Sequence, residues 1–477
     1  MLDLIVVGGG TAGLVATKTA ARLGARVLLI ERDRLGGDCL WTGCVPSKAL
    51  LAAARCAASA RGGARCGVHV GGVRVDFAGV MDHVRAAIAQ IEPADSAESV
   101  RAAGGQVLAG AARFHGPDRV QVDGREIRFR QAILAVGARP LVPQIPGLEG
   151  AGALTSETIW GLTKLPGRLA VLGGGSIGCE LGQAFARLGA HVVLVEAGPR
   201  LLPREDPEAA AVVHRALVAD GVEVWTDAPV TGVQVESTES GAGALSLPGG
   251  QRVGFDRLLV AVGRVPRTDG LGLNAAEVKL DDDGFVVVDA FLRTTNPRIR
   301  AAGDITGHPQ FTHVAGMHGA LAATNAVLGL RRSADRAAIP RVTYTDPELA
   351  AVGVDTGRAP AGGRVLTLPH QEVDRAVTDA ETDGITKIAV DRRGRIAGAT
   401  VVGPRAGETL GELTLAVGRA LRPRDLAAAM HAYPTWNDGP WKAVLGDVQA
   451  GLRGPVAARA LAAAVGARRW WLDTRDR

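Results

Sequence analysis

The chain contains the same glycine-rich pattern twice, each time between a short apolar run and a helix. The first copy runs from Leu4 to Glu31 and the second from Leu169 to Glu196. In a βαβ unit, glycines at these positions allow a tight turn, the close approach of a pyrophosphate, and helix–strand packing. Two complete units predict two bound dinucleotides, which an enzyme with a single cofactor would not need. The fingerprint glycines are Gly8, Gly10 and Gly13 in the first copy and Gly173, Gly175 and Gly178 in the second.

Two cysteines, Cys39 and Cys44, follow the first unit, and Lys48 comes shortly after them. A helix that begins near Val45-Pro46 would place Cys44 beside its N-terminus, where unpaired backbone N–H groups stabilise a thiolate. Lys48 would lie one turn further on the same face. A lone pair at this spacing is ordinarily two half-buried cysteines. The dinucleotide units on both sides favour a redox-active pair instead.

From about Leu2 to about Leu452 the sequence resembles the flavin-dependent pyridine nucleotide–disulfide oxidoreductases, the family of dihydrolipoamide dehydrogenase, glutathione reductase and mercuric reductase. The resemblance is carried by the two fingerprints and by the stretch Gly36–Lys48. It implies FAD and NAD(P)H as cofactors, a homodimer, and an α/β fold with two Rossmann-like dinucleotide-binding domains and a C-terminal α+β dimerisation domain. The implied segments are 1–150 (FAD-binding, first segment), 151–279 (NAD(P)-binding), 280–335 (FAD-binding, central segment), 340–453 (interface) and 454–477 (tail).

The resemblance also implies roles for individual residues. Cys44 would be the proximal thiolate that contacts the flavin, and Cys39 the distal thiol that attacks the substrate. Lys48 would stabilise charge on the reduced flavin and pair with Glu180, and Asp304 would bind the ribitol chain of FAD. Further cofactor contacts are implied for Lys48 itself, for the glycine turns at Gly137 and Gly263, and for Ala315 in the stretch Phe311–Ala315.

A glutamate closes the second strand of each unit, at Glu31 and at Glu196. A carboxylate in this position can accept hydrogen bonds from ribose hydroxyls. The charge of Glu196 would repel the 2′-phosphate of NADPH, so NADH is favoured. Arg200 and Arg204 follow closely and would weaken that preference.

The C-terminal stretch departs from the family pattern. Lipoamide dehydrogenase and glutathione reductase carry His-Pro there, and a glutamate orients the histidine, which is the acid/base supplied by the partner subunit. Here Tyr433 precedes Pro434, Asp438 stands where the glutamate would be, and His431 lies two residues early. Tyrosine, with an ordinary pKa near 10, is a poorer base at neutral pH than histidine, with a pKa near 6.5. Tyr433 would instead donate a hydrogen bond or assist a metal ion, unless it only packs.

Three classes of electron acceptor stay open. The leading interpretation is a small disulfide or related electrophile. Mercuric reductase ends in a vicinal cysteine pair, whereas no cysteine follows Cys179 here, yet two soft thiolates at Cys39 and Cys44 can still bind a thiophilic metal ion. A quinone or oxygen could also take electrons directly from the flavin. A role as a subunit of a larger 2-oxoacid complex is disfavoured by the missing histidine.

The composition argues against several other classes. Lys and Arg number 54 against 49 Asp and Glu, a net charge of +5, and no basic cluster is interleaved with aromatic residues, so nucleic-acid binding is not expected. Five scattered cysteines do not fit a secreted disulfide scaffold, and no His/Cys cluster has zinc spacing. The N-terminus enters an apolar strand at once, and no run of about eighteen apolar residues occurs. A reducing cytoplasm is the expected setting.

Other expectations concern the segments outside the motifs. The chain from Leu50 to Ala112 is predicted to be helical, with a small hairpin-like piece around Val68–Val75. A linker is expected at Leu330–Pro340, followed by strands such as Gly384–Val390 and Ile396–Val402. The Trp- and Arg-containing tail is expected to pack on the dimer or to be loosely ordered, with a membrane-surface helix as the alternative.

Overall fold

A computed structural model describes residues 1–237, 241–334 and 338–475, with two compact units. The first unit contains Met1–Pro203 and Leu217–Ala337, and the second contains Arg204–Ala216 and Ala338–Arg477. The finer segment boundaries proposed from the sequence stay predictions.

The first part of the chain alternates apolar strands with helices. Parallel strands that are covered on both faces need continuous apolar runs, and Leu2–Val7 and Val27–Glu31 are such runs. The elements are β1 (Leu2–Val7), α1 (Thr11–Arg22), β2 (Val27–Glu31), α2 (Gly37–Trp41), α3 (Cys44–Gly62), α4 (Phe77–Ile91), α5 (Ala97–Ala102), β3 (Gln106–Ala109), β4 (Ala112–Gly116), β5 (Arg119–Val122), β6 (Arg125–Leu134) and β7 (Ala138–Pro140).

The next part repeats the strand–helix–strand pattern and then returns to the first sheet. Its elements are β8 (Leu154–Thr155), β9 (Arg168–Leu172), α6 (Ser176–Leu188), β10 (His191–Val195), α7 (Pro207–Ala219), β11 (Glu223–Trp225), β12 (Gly232–Ser237), β13 (Ala242–Ser246), β14 (Arg252–Phe255), β15 (Arg257–Val260), β16 (Arg264–Pro266), β17 (Ile299–Ala301) and α8 (Thr312–Leu328).

The first sheet has the order β3-β2-β1-β6-β5-β4, and β17 also pairs with β6. Strands β3, β2, β1, β6 and β17 run parallel. In register, Val7 lies beside Ile30 and Leu134, and Leu134 lies beside Ala301. The carboxyl ends of β2, β1, β6 and β17 therefore meet at one edge of the sheet, which is the usual position of a ligand site in such folds.

The second parallel sheet has the order β11-β10-β9-β15-β8. Leu172 at the end of β9 lies beside Val195 on one side and Val260 on the other, so three carboxyl ends again coincide. Beside this sheet, β12, β13 and β14 form a three-stranded antiparallel sheet. The antiparallel pair β16–β7 joins Arg264 to Pro140 in register, which connects the exit of the second sheet with the exit of the first.

The second unit is built on an antiparallel sheet with helices. Ile388 and Val401 of this sheet pack with Leu413 and Val444 of the helices in one buried core. The predicted strands 384–390 and 396–402 are present, as β21 (Ile385–Val390) and β22 (Ile396–Gly403). The elements are β18 (Pro340–Thr343), β19 (Glu348–Gly353), β20 (Arg364–Pro369), α9 (Asp374–Thr378), β21 (Ile385–Val390), β22 (Ile396–Gly403), α10 (Ala406–Gly418), α11 (Pro423–Ala427), α12 (Asp438–Leu452) and α13 (Pro455–Arg475), with the strand order β18-β19-β22-β21-β20.

A buried ion pair holds the segment Arg204–Ala216 within the second unit. Lys387 Nζ lies 2.8 Å from Asp206 Oδ2 and 3.1 Å from Glu208 Oε2, and the Thr356 hydroxyl donates to Asp206 Oδ2 at 2.8 Å. Because Asp206 is fully buried, loss of Lys387 would leave an uncompensated charge.

The predicted fold class is confirmed, since both Rossmann-like sheets and the C-terminal α+β unit are present. The hairpin-like piece predicted at Val68–Val75 is wrong, because residues 68–76, all described, contain no strand. Val68 and Val70 are exposed there, and a two-stranded ribbon without a packed face is marginal in water. Within the predicted linker Leu330–Pro340, residues 335–337 lie outside the described residues.

The tail forms α13, none of whose residues is buried. Among the residues that the structure describes, no helix has the length and apolar character needed to cross a membrane.

The third glycine of each fingerprint is required by backbone packing. A Cβ on Gly178 would lie 1.9 Å from the Gly173 carbonyl oxygen, and nothing lies within 4 Å of a Cβ on Gly175. We therefore expect Gly178→Ala to lower the free energy of unfolding by about 2–4 kcal/mol. The matched control, Gly175→Ala, should stay within about 1 kcal/mol of the wild type. Urea unfolding followed by circular dichroism measures both, and equal stability of the two variants would contradict this account.

Candidate active site

The two cysteines of the predicted redox pair lie on consecutive short elements. Cys39 is on α2, and Cys44 is the first residue of α3, as predicted from the proline after it. Both are free thiols; Cys39 is half-buried and Cys44 is exposed. The N-terminus of this 19-residue helix presents unpaired N–H groups and the positive end of its dipole to Cys44.

The surroundings of the two thiols shift their pKa values in opposite directions. A hydrogen bond from the Cys39 thiol is the largest influence on Cys44, and it lowers the pKa of Cys44 to about 6 against the opposing effect of desolvation. The Thr312 hydroxyl and the charge of Lys48 also lower this pKa, whereas Asp38 raises it. The same shared hydrogen bond, with desolvation, raises the pKa of Cys39. At neutral pH the reduced pair therefore holds a thiolate at Cys44 and a thiol at Cys39.

Lys48 forms an ion pair with a carboxylate from a distant part of the chain. Its Nζ lies 2.8 Å from Glu180 Oε2, the residue with which the resemblance pairs it. Glu180 is buried on α6, only 8% of its side chain is exposed, and α6 packs against α3. The pair holds the Lys48 ammonium one turn beyond Cys44 on α3. The catalytic role of both residues stays a prediction.

Thr312 is a site residue that sequence reasoning missed. Its hydroxyl lies 3.2 Å from Cys44 Sγ, and Thr312 is the first residue of α8. The resemblance implied a cofactor contact only for Ala315 in this stretch, and a threonine at a helix start is too common to indicate a contact with a cysteine. Of the nearby histidines, His318 is buried, which lowers its pKa to about 4 and keeps it neutral at neutral pH.

The first sheet edge leaves room for a ligand at one particular glycine. A Cβ on Gly13 would lie 1.8 Å from the Gly8 carbonyl oxygen, so packing alone explains that glycine. A Cβ on Gly10 would meet only the Cα of Gly37, at 3.8 Å. Glu31 accepts hydrogen bonds from the amides of Gly9 and Asp33 and still has lone pairs for a ribose.

The second sheet edge repeats this arrangement. Glu196 Oε2 accepts from the Gly174 amide and Oε1 from the Gly198 amide, both at 2.7 Å. Since no atom of the described residues lies within 4 Å of a Cβ on Gly175, packing within that part of the chain does not account for the missing side chain. The space fits the pyrophosphate of a dinucleotide at the start of α6. The donor groups present at each edge thus fit a dinucleotide such as FAD or NAD(P)H, and the assignment of FAD to the first edge and NAD(P)H to the second stays a prediction.

The remaining predicted cofactor residues lie near these edges. Asp304 follows β17 and is half-buried; burial raises its pKa, and Arg264 opposes that rise. Ala315 lies beside Gly303, and its amide donates to the Phe311 carbonyl at 2.9 Å. The carbonyl of Gly137 accepts from the Arg267 amide at 3.0 Å, and that of Gly263 from the Leu141 amide at 2.9 Å. Their contacts with a cofactor stay predictions.

In the second unit, Tyr433 and Asp438 are not hydrogen-bonded to each other. The exposed Tyr433 hydroxyl donates to Asp374 Oδ2 at 2.8 Å, which raises the pKa of the tyrosine. Asp438 is buried and accepts from the Thr435 amide at 3.4 Å. Tyr433 is therefore held as a donor, which disfavours a role as a base.

His431 is engaged at both ring nitrogens, although the sequence left its role open. Nε2 lies 3.0 Å from Glu412 Oε1, and Nδ1 lies 3.1 Å from the Ala429 carbonyl oxygen. Both ring nitrogens therefore face oxygen atoms that can accept a hydrogen bond, and these two contacts fix the orientation of the ring. Within the described part of this unit, His431 thus does not replace the missing family histidine as a free base.

Comparison with known proteins agrees with this geometry. Residues 2–319 match the family described as pyridine nucleotide-disulphide oxidoreductase, and residues 339–444 match its dimerisation domain. A mercuric reductase from Streptomyces lividans is 36% identical over 443 residues, covering 91% of this chain and 93% of the relative. A dihydrolipoyl dehydrogenase from Thermus scotoductus is 35% identical over 459 residues, covering 92% of this chain and 95% of the relative.

Among solved structures, the Cu(II) complex of the HOCl-induced flavoprotein disulfide reductase RclA from Escherichia coli is similar. The TM-score is 0.81 at 27% sequence identity, and the match covers 92% of this chain and 98% of that one. The family predicted from the two fingerprints and the cysteine pair is thereby confirmed. This chain belongs to the pyridine nucleotide-disulphide oxidoreductase family, as a flavin-dependent enzyme of a group whose members use FAD and NAD(P)H.

Proposed function

We propose that this enzyme takes electrons from NADH, passes them through FAD to the Cys39–Cys44 disulfide, and reduces a disulfide or related small substrate, working as a homodimer. The observation that carries the proposal is the position of Cys44 at the start of α3, close to Cys39 on α2 and one turn before the Lys48–Glu180 ion pair. Similarity to a dihydrolipoyl dehydrogenase supports a disulfide-type substrate, and the dimerisation domain supports the homodimer.

The two sulfurs of the reduced pair have different tasks. Cys39 attacks one substrate sulfur, forms a mixed disulfide and releases the first substrate thiolate. The proton of the Cys39 thiol passes to the neighbouring Cys44 thiolate and from there to the departing substrate thiolate. Cys44 then attacks the Cys39 sulfur, restores the internal disulfide and releases the second thiolate, which takes a proton from solvent.

The surrounding residues support these steps. FAD, when bound, supplies two-electron transfer between NADH and the cysteine pair. The Lys48 ammonium, fixed by Glu180, keeps a positive charge beside the Cys44 thiolate. The Thr312 hydroxyl lies 3.2 Å from the same sulfur and can stabilise its negative charge with a hydrogen bond.

The geometry beside Glu196 supports NADH over NADPH. The Glu196 carboxylate is held by two amides at the end of β10. Arg200 is not free to bind a 2′-phosphate, because its guanidinium donates to the carbonyl oxygens of Leu202 at 2.8 Å and Pro203 at 2.7 Å.

The cysteine pair can be tested with Cys39→Ser. We expect NADH-dependent reduction of a small aromatic disulfide to fall by more than about 100-fold, because no mixed disulfide can form. In the reduced wild type, the alkylation rate of Cys44 should fall as the pH drops through about 6. In Cys39→Ser that midpoint should rise, because the main hydrogen bond to the thiolate is altered. Stopped-time alkylation with peptide mass spectrometry measures the midpoint for Cys44 alone.

The control for this experiment is Cys179→Ser, because Cys179 is buried and its thiol donates to the Gly174 carbonyl. It should retain both the disulfide turnover and the Cys44 midpoint. Disulfide turnover that survives in Cys39→Ser would overturn the proposal. A quinone rate that exceeds the disulfide rate in both proteins would select direct electron transfer from the flavin instead.

The cofactor preference can be tested with Glu196→Ala. Removing the carboxylate removes its repulsion of a 2′-phosphate, so we expect the ratio of kcat/KM for NADH over NADPH to fall by about tenfold. The measurement is steady-state kinetics with both cofactors at one ionic strength. An unchanged ratio would show that Glu196 does not discriminate between them.

A second candidate function is reduction of a thiophilic metal ion by the same thiols. One observation favours it: Tyr433 is held as a donor by Asp374, and a metal ion, unlike a departing thiolate, needs no acid/base group. Two soft sulfurs at Cys39 and Cys44 suit such an ion. Similarity to a mercuric reductase and to a protein solved as a Cu(II) complex supports this candidate.

The two acceptor classes can be separated with Tyr433→His. An imidazole with a pKa near 6.5 would supply the missing acid/base group, so we expect disulfide turnover to rise severalfold while metal-dependent NADH oxidation stays unchanged. The rates to measure are NADH oxidation with an aliphatic disulfide, whose departing thiolate needs a proton, and with Hg(II) or Cu(II) in excess thiol. Tyr433→Phe is the matched control and should not raise disulfide turnover. A wild-type metal rate above the disulfide rate would select the second candidate.

A further inference from the structure

Arg264 lies between two carboxylates that belong to different parts of the first unit. Its Nη2 lies 2.7 Å from Asp38 Oδ2, and its Nε lies 3.6 Å from Asp304 Oδ2. Nη2 also donates to the Ala138 carbonyl oxygen at 3.1 Å. One guanidinium thus connects the turn that carries the cysteines, the aspartate after β17, and β7 at the exit of the first sheet.

The position of Asp38 makes this connection relevant to the thiols. Asp38 directly precedes Cys39 on α2, so an ion pair that fixes the Asp38 carboxylate also restrains the backbone at Cys39. Its other oxygen accepts from the Thr42 hydroxyl, and the Trp160 indole donates to the Thr42 carbonyl at 2.9 Å. Both oxygens of Asp38 are therefore engaged, and the turn between Cys39 and Cys44 is held at two further points.

Arg264 is well enclosed for a charged residue. Only 12% of its side chain is exposed, and its Nε is buried with no hydrogen-bond acceptor among the residues that the structure describes. Enclosing a charged guanidinium costs free energy, and its attraction to Asp38 and Asp304 offsets that cost. Removing Arg264 would leave the two carboxylates without a compensating charge. The charges of the three groups sum to −1 with Arg264 and to −2 without it.

We propose that Arg264 is a positioning residue of the cysteine pair: by bridging Asp38 and Asp304, it holds the turn that carries Cys39 and offsets the carboxylate charge that opposes a thiolate at Cys44. This inference rests on the proposed function only in taking the pair as redox-active. The sequence gives no sign of it, because Asp38, Arg264 and Asp304 are far apart in the chain.

The charges around Cys44 are few enough to make the effect measurable. Lys48 on α3 favours the thiolate and is itself paired with Glu180 on α6. Asp38 on α2 disfavours it. From α8 the contact is the neutral Thr312 hydroxyl, and His318 further along that helix is uncharged at neutral pH. Of these groups, Asp38 is the one whose charge Arg264 pairs directly.

The test measures thiolate formation in the reduced, FAD-loaded enzyme rather than turnover. Cys56 and Cys66 are exposed, so both are first changed to serine. Iodoacetamide alkylation of Cys44 is followed against pH by peptide mass spectrometry in the background protein, Arg264→Gln, Asp38→Asn and the double variant. Release of FAD on dilution, followed by flavin fluorescence, is a second readout for Arg264→Gln.

The three variants should change the alkylation rate in different directions. At pH 6 we expect Arg264→Gln to slow the alkylation of Cys44 by about three- to tenfold. Below pH 6 we expect Asp38→Asn to speed it by about threefold. Well below the pKa of Cys44, a change of one pKa unit changes the thiolate fraction tenfold. The double variant should return close to the background protein, because charge balance is restored. Arg264→Gln should also release FAD faster.

Opposite results would overturn the inference. If Arg264→Gln leaves the alkylation midpoint and FAD release unchanged, Arg264 does not act on the pair. If the double variant alkylates as slowly as Arg264→Gln, Arg264 does not act by offsetting the charge of Asp38, which contradicts the proposal. Should Arg264→Gln fail to fold, Asp38→Asn alone still tests the proposal. If the pH midpoint of Cys44 alkylation does not fall in that variant, Asp38 is not the charge that opposes the thiolate, and Arg264 has no such charge to offset. Failure here is distinct from failure of the proposed function, which shows as disulfide turnover in Cys39→Ser.

Discussion

The site depends on the parallel alignment of strand ends in the first sheet. Because β2, β1, β6 and β17 run in the same direction and in matched register, Glu31, the turn at Gly8 and Asp304 lie on one edge, although they are separated by nearly three hundred positions in the sequence. A shift in any pairing would move a side chain to the opposite face of the sheet. The second sheet repeats this constraint with Gly173 and Glu196.

In the proposed mechanism, the chemistry depends on the different pKa values of the two cysteine thiols. The Cys39 thiol donates to Cys44, and the helix start, Lys48 and Thr312 all favour negative charge on the same sulfur. Asp38 acts in the opposite direction, and Arg264 is placed to offset it. The result is a dithiol in which the sulfur of low pKa is fixed by a helix and the sulfur of high pKa is carried by the neighbouring turn.

The choice of acceptor depends on a different part of the chain. Where relatives named in the resemblance carry a histidine, this enzyme has a tyrosine bonded to Asp374, and the nearby His431 is bonded to Glu412 and to a backbone carbonyl. Both ring nitrogens of His431 and the hydroxyl of Tyr433 are thus already engaged within this unit. Under the proposed function, this arrangement favours acceptors that need no general acid–base group, such as disulfides that release thiols of low pKa, or thiophilic metal ions.

The sequence by itself determined the parts that depend on neighbouring residues. Gly13 and Gly178 are required by backbone atoms a few residues away, and Cys44 starts a helix whose proline lies two residues on, so both βαβ units and the helical cysteine could be predicted. The Lys48–Glu180 pair joins residues 132 positions apart and came only from the resemblance. The bridge from Asp38 through Arg264 to Asp304 and the contact of Thr312 with Cys44 could not be predicted, and the hairpin at Val68–Val75 was predicted wrongly. The two contacts depend on which distant strand or helix supplies the partner, which local pattern does not encode, and the hairpin failed because its valines have no packed face to cover them; tertiary packing alone decided these outcomes.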